Sequence, residues 1–317
     1  MQDLLNILIL KVLSEMENYH FGGVKCIKLS LSLSLLIVCL SCLVAVGDSY
    51  WARTYGSAEK ESACVVLANE EGGFIVAGTK ISAATGKEDV WLMKLNERGN
   101  IEWKRSYGSN DEDISNEIIE VQQDSGGYII VGTTTHLTQG GTDAFIMKVN
   151  LAGDFMWATK IGGPGEDIAN SVIRTEEQEP NYIGNYYIVL GTTTSFGGTG
   201  KDILVVKLDQ NGNMCDKCWG YGYDGTDVDT AYSITQSGNG YIIAGTTNSF
   251  GAGGNDAFVL DLKRDGTIAK DGIVPRIRGF GQTGFDGARS INARQKGAIL
   301  LQERRHHLVC KKEIYGC

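Results

Sequence analysis

Residues 126–153 read GGYIIVGTTTHLTQGGTDAFIMKVNLAG. Two apolar, β-branched runs, YIIVGTT and AFIMKVN, flank a polar stretch rich in glycine, and NLAG ends the second run in a tight turn. Short apolar runs bounded by Gly, Asn and Asp are the signature of strands and hairpins. The pattern recurs along the chain. GGFIVAGTK, NYYIVLGTT and NGYIIAGTT repeat the first run and align Gly78, Gly132, Gly191 and Gly245 at spacings of 54, 59 and 54 residues. Asp89, Asp143, Asp202 and Asp256, which open the second run, and the turn glycines Gly99, Gly153, Gly212 and Gly266 keep the same spacings. Three columns in lockstep define a repeat. The five extra residues of the third unit fall within EEQEPNYIGN (176–185), read as a polar loop insertion.

Each unit holds four apolar runs, in the second unit ISNEIIEV, YIIVGTT, AFIMKVN and DFMWATK. Four antiparallel strands repeated at this length predict an all-β fold, a β-propeller of four-stranded blades. A β-helix uses shorter repeats, and a helical solenoid needs a 3.6-residue period that is absent here. The blades are expected at about 61–107, 113–160, 167–220 and 229–279, with the start of a fifth at 286–292. That makes four full blades and parts of a fifth, an incomplete ring. Composition agrees: 42 glycines and 3 prolines accompany 42% hydrophobic residues, enough apolar material for a core of short strands and tight turns. A net charge of −9 argues against nucleic acid as a partner.

The segments resemble the short blade repeats of secreted and cell-surface propellers of archaea and bacteria. The resemblance covers residues 50 to about 292 and rests on GGYIxxGTT, DxxxxKLD, GNxxW and YGG. It implies architecture and an extracellular setting, and little about activity. The spacings Gly99 to Trp103 and Gly153 to Trp157 also resemble the docking motif of quinoprotein propellers, but Asp216 stands four residues after Gly212.

The chain ends depart from the repeat. Residues 29–46, LSLSLSLLIVCLSCLVAV, are uncharged and follow Lys25 and Lys28, with Ala45 and Gly47 placed for cleavage before Asp48. Residues 1–47 are read as a segment carrying a signal peptide or membrane anchor, the chain's only expected membrane contact. Residues 293–317 carry six Lys or Arg against two acidic residues and break the glycine pattern, so they are read as an atypical basic tail, a frameshift product.

Candidate chemistry is sparse. Two GxGxxG matches, at Gly220, Gly222 and Gly225 and at Gly279, Gly281 and Gly284, fall at blade turns and not in a βαβ unit, so no dinucleotide or other cofactor is expected. Cys215 and Cys218 form a CxxC without a second pair at zinc spacing, which favours a local disulfide after export. Cys64 reads as a core strand position. The columns Asp113, Asp167, Asp229 and Asp286 open the first strands, which line the channel of a propeller. They would ring one channel mouth and hold Ca²⁺ or a polar ligand. The competing reading is that each aspartate accepts bonds from its own glycine-rich turn. Phe196 and Phe250, in repeated Ser-Phe-Gly loops, either stack on sugars or pack between blades.

No catalytic residue is assigned. The function expected is a secreted or cell-surface binding scaffold for a glycan or protein partner. The alternatives are a quinoprotein-like or glycan-active propeller enzyme and a non-functional fragment of a longer repeat protein. Sequencing the locus from the codon of Asp286 in all three frames is expected to recover further GGYIxxGTT-type units in another frame. A stop after Cys317 with no such units downstream overturns the frameshift reading.

Overall fold

The computed structural model describes residues 51–317 apart from 70–71, 123–125, 137–139, 180–181, 224–226, 239, 250–253, 272–273, 276, 281–286, 294–297, 306–307 and 316–317; the side chains of 178–183, 271–286 and 292–317 also lie outside the description. The N-terminal segment, with its apolar stretch 29–46, lies outside the described residues. The described chain is all-β, a series of blade-like antiparallel sheets.

The first blade is β1 (Glu61–Ala68), β2 (Phe74–Ile81), β3 (Glu88–Leu95) and β4 (Ile101–Tyr107). The second is β5 (Asp113–Val121), β6 (Gly127–Thr134), β7 (Asp143–Val149) and β8 (Phe155–Ile161). The third is β9 (Asp167–Glu179), β10 (Tyr182–Thr193), β11 (Asp202–Asp209) and β12 (Trp219–Tyr223). The fourth is β13 (Asp229–Ser237), β14 (Gly240–Thr247) and β15 (Asp256–Lys263). A short hairpin, β16 (Lys270–Asp271) and β17 (Val274–Pro275), precedes its outer strand β18 (Ile277–Phe280). In all four sheets the strands pair in the order of a meander.

One expectation is corrected. The extra residues of the third unit do not bulge as a loop: they lengthen the β9–β10 ladder, which pairs from Tyr182↔Glu179 to Thr193↔Asp167. Alternating backbone bonds can absorb an insertion that adds residues on both sides of a hairpin. After the four blades, β19 (Ala288–Ala293), β20 (Ala298–Arg305) and β21 (Leu308–Tyr315) form a three-stranded sheet.

The central strands are apolar nearly throughout because each is buried on both faces. Side chains alternate across a strand, so in the second blade Tyr128 and Ile130 pack toward the first blade with Ile75, Ala77, Val90 and Leu92. Ile129 and Val131 pack toward the third, with Val189, Leu204 and Val206. The third blade meets the fourth in the same way through Ile188, Leu190, Ile243 and Phe258.

Two glycine columns have definite geometric causes. The first strand of each blade carries a bulge, between Ala63 and Val65, Ser115 and Glu117, Ala169 and Ser171, and Ala231 and Ser233. The strand-two glycine faces it at close range: a Cβ on Gly78, Gly132, Gly191 or Gly245 would collide with the carbonyl oxygen of Ser62, Ile114, Ile168 or Thr230. The bulged residues reach across to the next blade. Asn116 Nδ2 donates to Ala169 O at 2.8 Å and Asn170 Nδ2 to Ala231 O at 2.8 Å. Cys64 holds the equivalent place, its Sγ donating to Ser115 O at 3.3 Å. It is an exposed thiol on a bulge, not the core residue expected.

The hairpin glycines Gly99, Gly153, Gly212 and Gly266 have φ of +70°, +79°, +76° and +80°, a region other residues enter only with strain. Each is covered by an aromatic ring from the preceding outer strand. Trp103 lies on Gly153, Trp157 on Gly212 and Trp219 on Gly266. Trp103 Nε1 donates to Leu151 O at 3.1 Å and Trp219 Nε1 to Arg264 O at 3.0 Å, while the Tyr107 and Tyr223 hydroxyls donate to Gly153 O and Gly266 O. Trp51 and Tyr55 repeat the set on the first blade, with bonds to Glu97 O at 2.9 Å and Gly99 O at 2.7 Å. Trp219 falls seven residues after Gly212, so the docking survives where Asp216 broke the spacing. The intervening MCDKC is closed by a Cys215–Cys218 disulfide. Trp103→Ala is expected to lower stability by about 3 kcal/mol, and Gly212→Ala by about 1–2 kcal/mol, since its Cβ would meet Trp157. Urea midpoints followed by far-ultraviolet circular dichroism measure both; unchanged midpoints would deny the docking its role.

Candidate functional site

The acidic column that opens the first strands is drawn inward. Asp167 and Asp229 are buried and Asp113 is half-buried, because each carboxylate gathers donors from its own blade or the preceding turn. Asp167 Oδ2 accepts from Gly163 N at 2.9 Å and Ser195 Oγ at 2.6 Å, and its Oδ1 from Thr193 Oγ1. Asp229 Oδ2 accepts from Ser249 Oγ at 2.8 Å. Asp113 Oδ2 accepts from Ser109 N at 2.7 Å and Ser109 Oγ at 2.9 Å. These are bonds of the kind the turn-bonding alternative expects, and Asp167 and Asp229 are buried. Among the described residues no group of three or more His, Cys, Asp or Glu side chains gathers as a metal site. Asp286 and Phe250 lie outside the described residues.

The column that opens the third strands meets the first column across the blade junction. Asp167 N donates to Thr142 O at 2.7 Å, and Asp229 N to Lys201 O at 2.7 Å. The Asp143 carboxylate therefore stands near Asp167. Its Oδ1 is buried with no hydrogen-bond donor among the described residues, and the Lys160 ammonium is 4.0 Å from Oδ2. Burial pushes the Asp143 carboxyl above the usual aspartate range; Lys160 opposes this and the Asp167 charge reinforces it. Asp89 is raised likewise, by burial first, against a bond from Ser82 and with the Asp113 charge adding to it.

Between successive blades the outer strands leave two clefts, each of about 410 Å³. The cleft of the second and third blades has Ile161, Leu204 and Val206 as its apolar wall and Phe196 and Met214 at its rim. It is open because Gly220 and Gly222 stand on β12, the strand beside β11. Phe196 is 43% exposed, so it is not sealed between blades. The cleft of the first and second blades has Val90, Phe145 and Met147 as its wall, with Phe155, His136 and Lys160 at its mouth. His136 Nδ1 lies 2.9 Å from Asp111 Oδ2. This pair was not singled out from sequence, although a signal existed: four residues after the strand-two glycine the other blades carry Ser82, Ser195 and Ser249.

The chain matches no protein-family model and no curated protein.

Opposite effects are expected from the two carboxylates of one junction. Asp167→Asn places an amide where three donors converge and should cost about 2 kcal/mol at pH 7. The folded chain holds Asp143 protonated more readily than the unfolded chain does, so its charge disfavours folding above the ordinary aspartate range and has no effect below it. Asp143→Asn should therefore raise the urea midpoint at pH 7, with the gain vanishing as pH falls below the ordinary value of 3.8. A loss of stability at pH 7 would contradict the assignment.

Proposed function

We propose that this chain is a secreted or cell-surface binding propeller of the archaeal and bacterial blade-repeat type, taking up a glycan or protein ligand without converting it. The observation that carries the reading is the pair of equivalent inter-blade clefts, walled by apolar side chains and rimmed by exposed Phe155 and Phe196. Such concave surfaces with a few polar groups are where ligands bind. The repeated carboxylates are engaged in turns and junctions, which makes the clefts the chemically distinctive surface. Trp103 and Trp157, whose spacing resembles a quinoprotein docking motif, are engaged between blades and give the enzyme alternative no added support. The uncharged stretch 29–46 supports export.

The test is to present immobilised purified chain with oligosaccharide and surface-protein panels, then to weigh any ligand recovered after prolonged incubation. Saturable binding of a ligand whose mass is unchanged is expected. Release of a shortened or oxidised product would reverse the reading in favour of an enzyme.

A further inference from the structure

The repeat supplies its own controls: a side chain that every blade keeps serves the blade, and one that a single blade changes is free for another use. Four residues after the strand-two glycine stand Ser82, His136, Ser195 and Ser249. Ser195 and Ser249 donate their hydroxyls to the buried aspartates of their own blades, at 2.6 Å and 2.8 Å. The backbone at this position is common to the second, third and fourth blades. His136 N, Ser195 N and Ser249 N donate to Thr134, Thr193 and Thr247 Oγ1 at 3.0, 2.9 and 2.9 Å. Only the side chain's task differs. In the second blade Ser109 takes over the bonds to Asp113, and the imidazole pairs instead with Asp111 at 2.9 Å.

A position that varies in every unit lies beside it. Three residues after each docking tryptophan the chain has Thr54, Ser106, Lys160 and Gly222. Lys160 Nζ donates to His136 O at 3.1 Å. His136 and Lys160 line the cleft between the first and second blades, with Phe155, 58% exposed, at the mouth.

We propose that this cleft binds a neutral pyranose unit; the proposal rests on the binding reading above and names the ligand of one of its clefts. A pyranose presents an apolar C–H face beside vicinal hydroxyls. Phe155 with Phe145 and Met147 offers apolar and aromatic surface for the face. Asp111, His136 and Lys160 offer a carboxylate acceptor, an imidazole and an ammonium donor for the hydroxyls. A volume of about 410 Å³ lies toward the small end of ligand pockets, which span about 300–1,000 Å³, and suits one or two sugar rings. The nearby Asp111, Asp113 and Asp143 outnumber Lys160, which disfavours a uronic or other anionic sugar.

The experiment is saturation-transfer NMR and calorimetry of the purified chain with methyl glucoside, galactoside and mannoside and with cellobiose and lactose. His136→Ser installs the residue that the other blades carry and is expected to leave the thermal midpoint unchanged. It should weaken the sugar that binds at least tenfold, as should Phe155→Ala. Ile101→Ala, at an exposed residue that lines neither cleft, should leave that affinity unaltered. Binding that survives His136→Ser and Phe155→Ala but fails in Phe196→Ala overturns this site and leaves the binding reading standing. So does a chain that binds no neutral sugar but retains a protein ligand. Conversion of the bound sugar would instead count against the binding-only reading while leaving the location supported.

Discussion

The indole of one blade's outer strand lies on the left-handed hairpin glycine of the next blade and bonds to that hairpin's backbone, and the other junctions take their geometry from this contact. A tryptophan buried against a residue without a Cβ combines apolar burial with a directional hydrogen bond. The ring fits only where the glycine is bare, and the glycine's positive φ fits only where the hairpin is tight. Each contact thereby sets the position of one blade relative to the next. Stability in such arrays is close to a sum of blade and junction contributions.

That arrangement encloses the aspartates Asp167 and Asp229 at the blade junctions. With adjacent blades held close, the start of each first strand is pressed against the start of the preceding blade's third strand, and the aspartates at both places are enclosed. One member of a junction, such as Asp167, gathers three donors on its carboxylate. The other, such as Asp143, keeps a bare oxygen next to that charge. The asymmetry follows from the turns: Ser195, Thr193 and Gly163 all converge on one side of the junction.

The clefts are the complement of the same packing. Burial between blades is complete at the central strands and gives out toward the outer ones, where Ala158, Gly220 and Gly222 are too small to close the gap. The linings of the two clefts differ: His136 and Phe155 stand in one, Phe196 and Met214 in the other.

The blade repeat was legible because its causes are local. Alternating burial, a glycine under a bulge and a glycine in a tight hairpin each demand a residue type at a fixed interval, and three columns at 54, 59 and 54 residues express them. Where a contact is made between blades, the linear pattern was silent or misleading. Trp219 kept its partner despite a shifted spacing, the insertion near Asn185 lengthened a hairpin instead of a loop, and Cys64 proved to lie on a bulge. The direction of the aspartates and the pairing of His136 with Asp111 also waited on tertiary structure. Spacing along the chain records which turn a residue belongs to, whereas burial and hydrogen-bond partners depend on the neighbouring blade. The sequence by itself determined the unit and its strands; the tertiary structure decided which polar groups are consumed between units and which stand in a cleft.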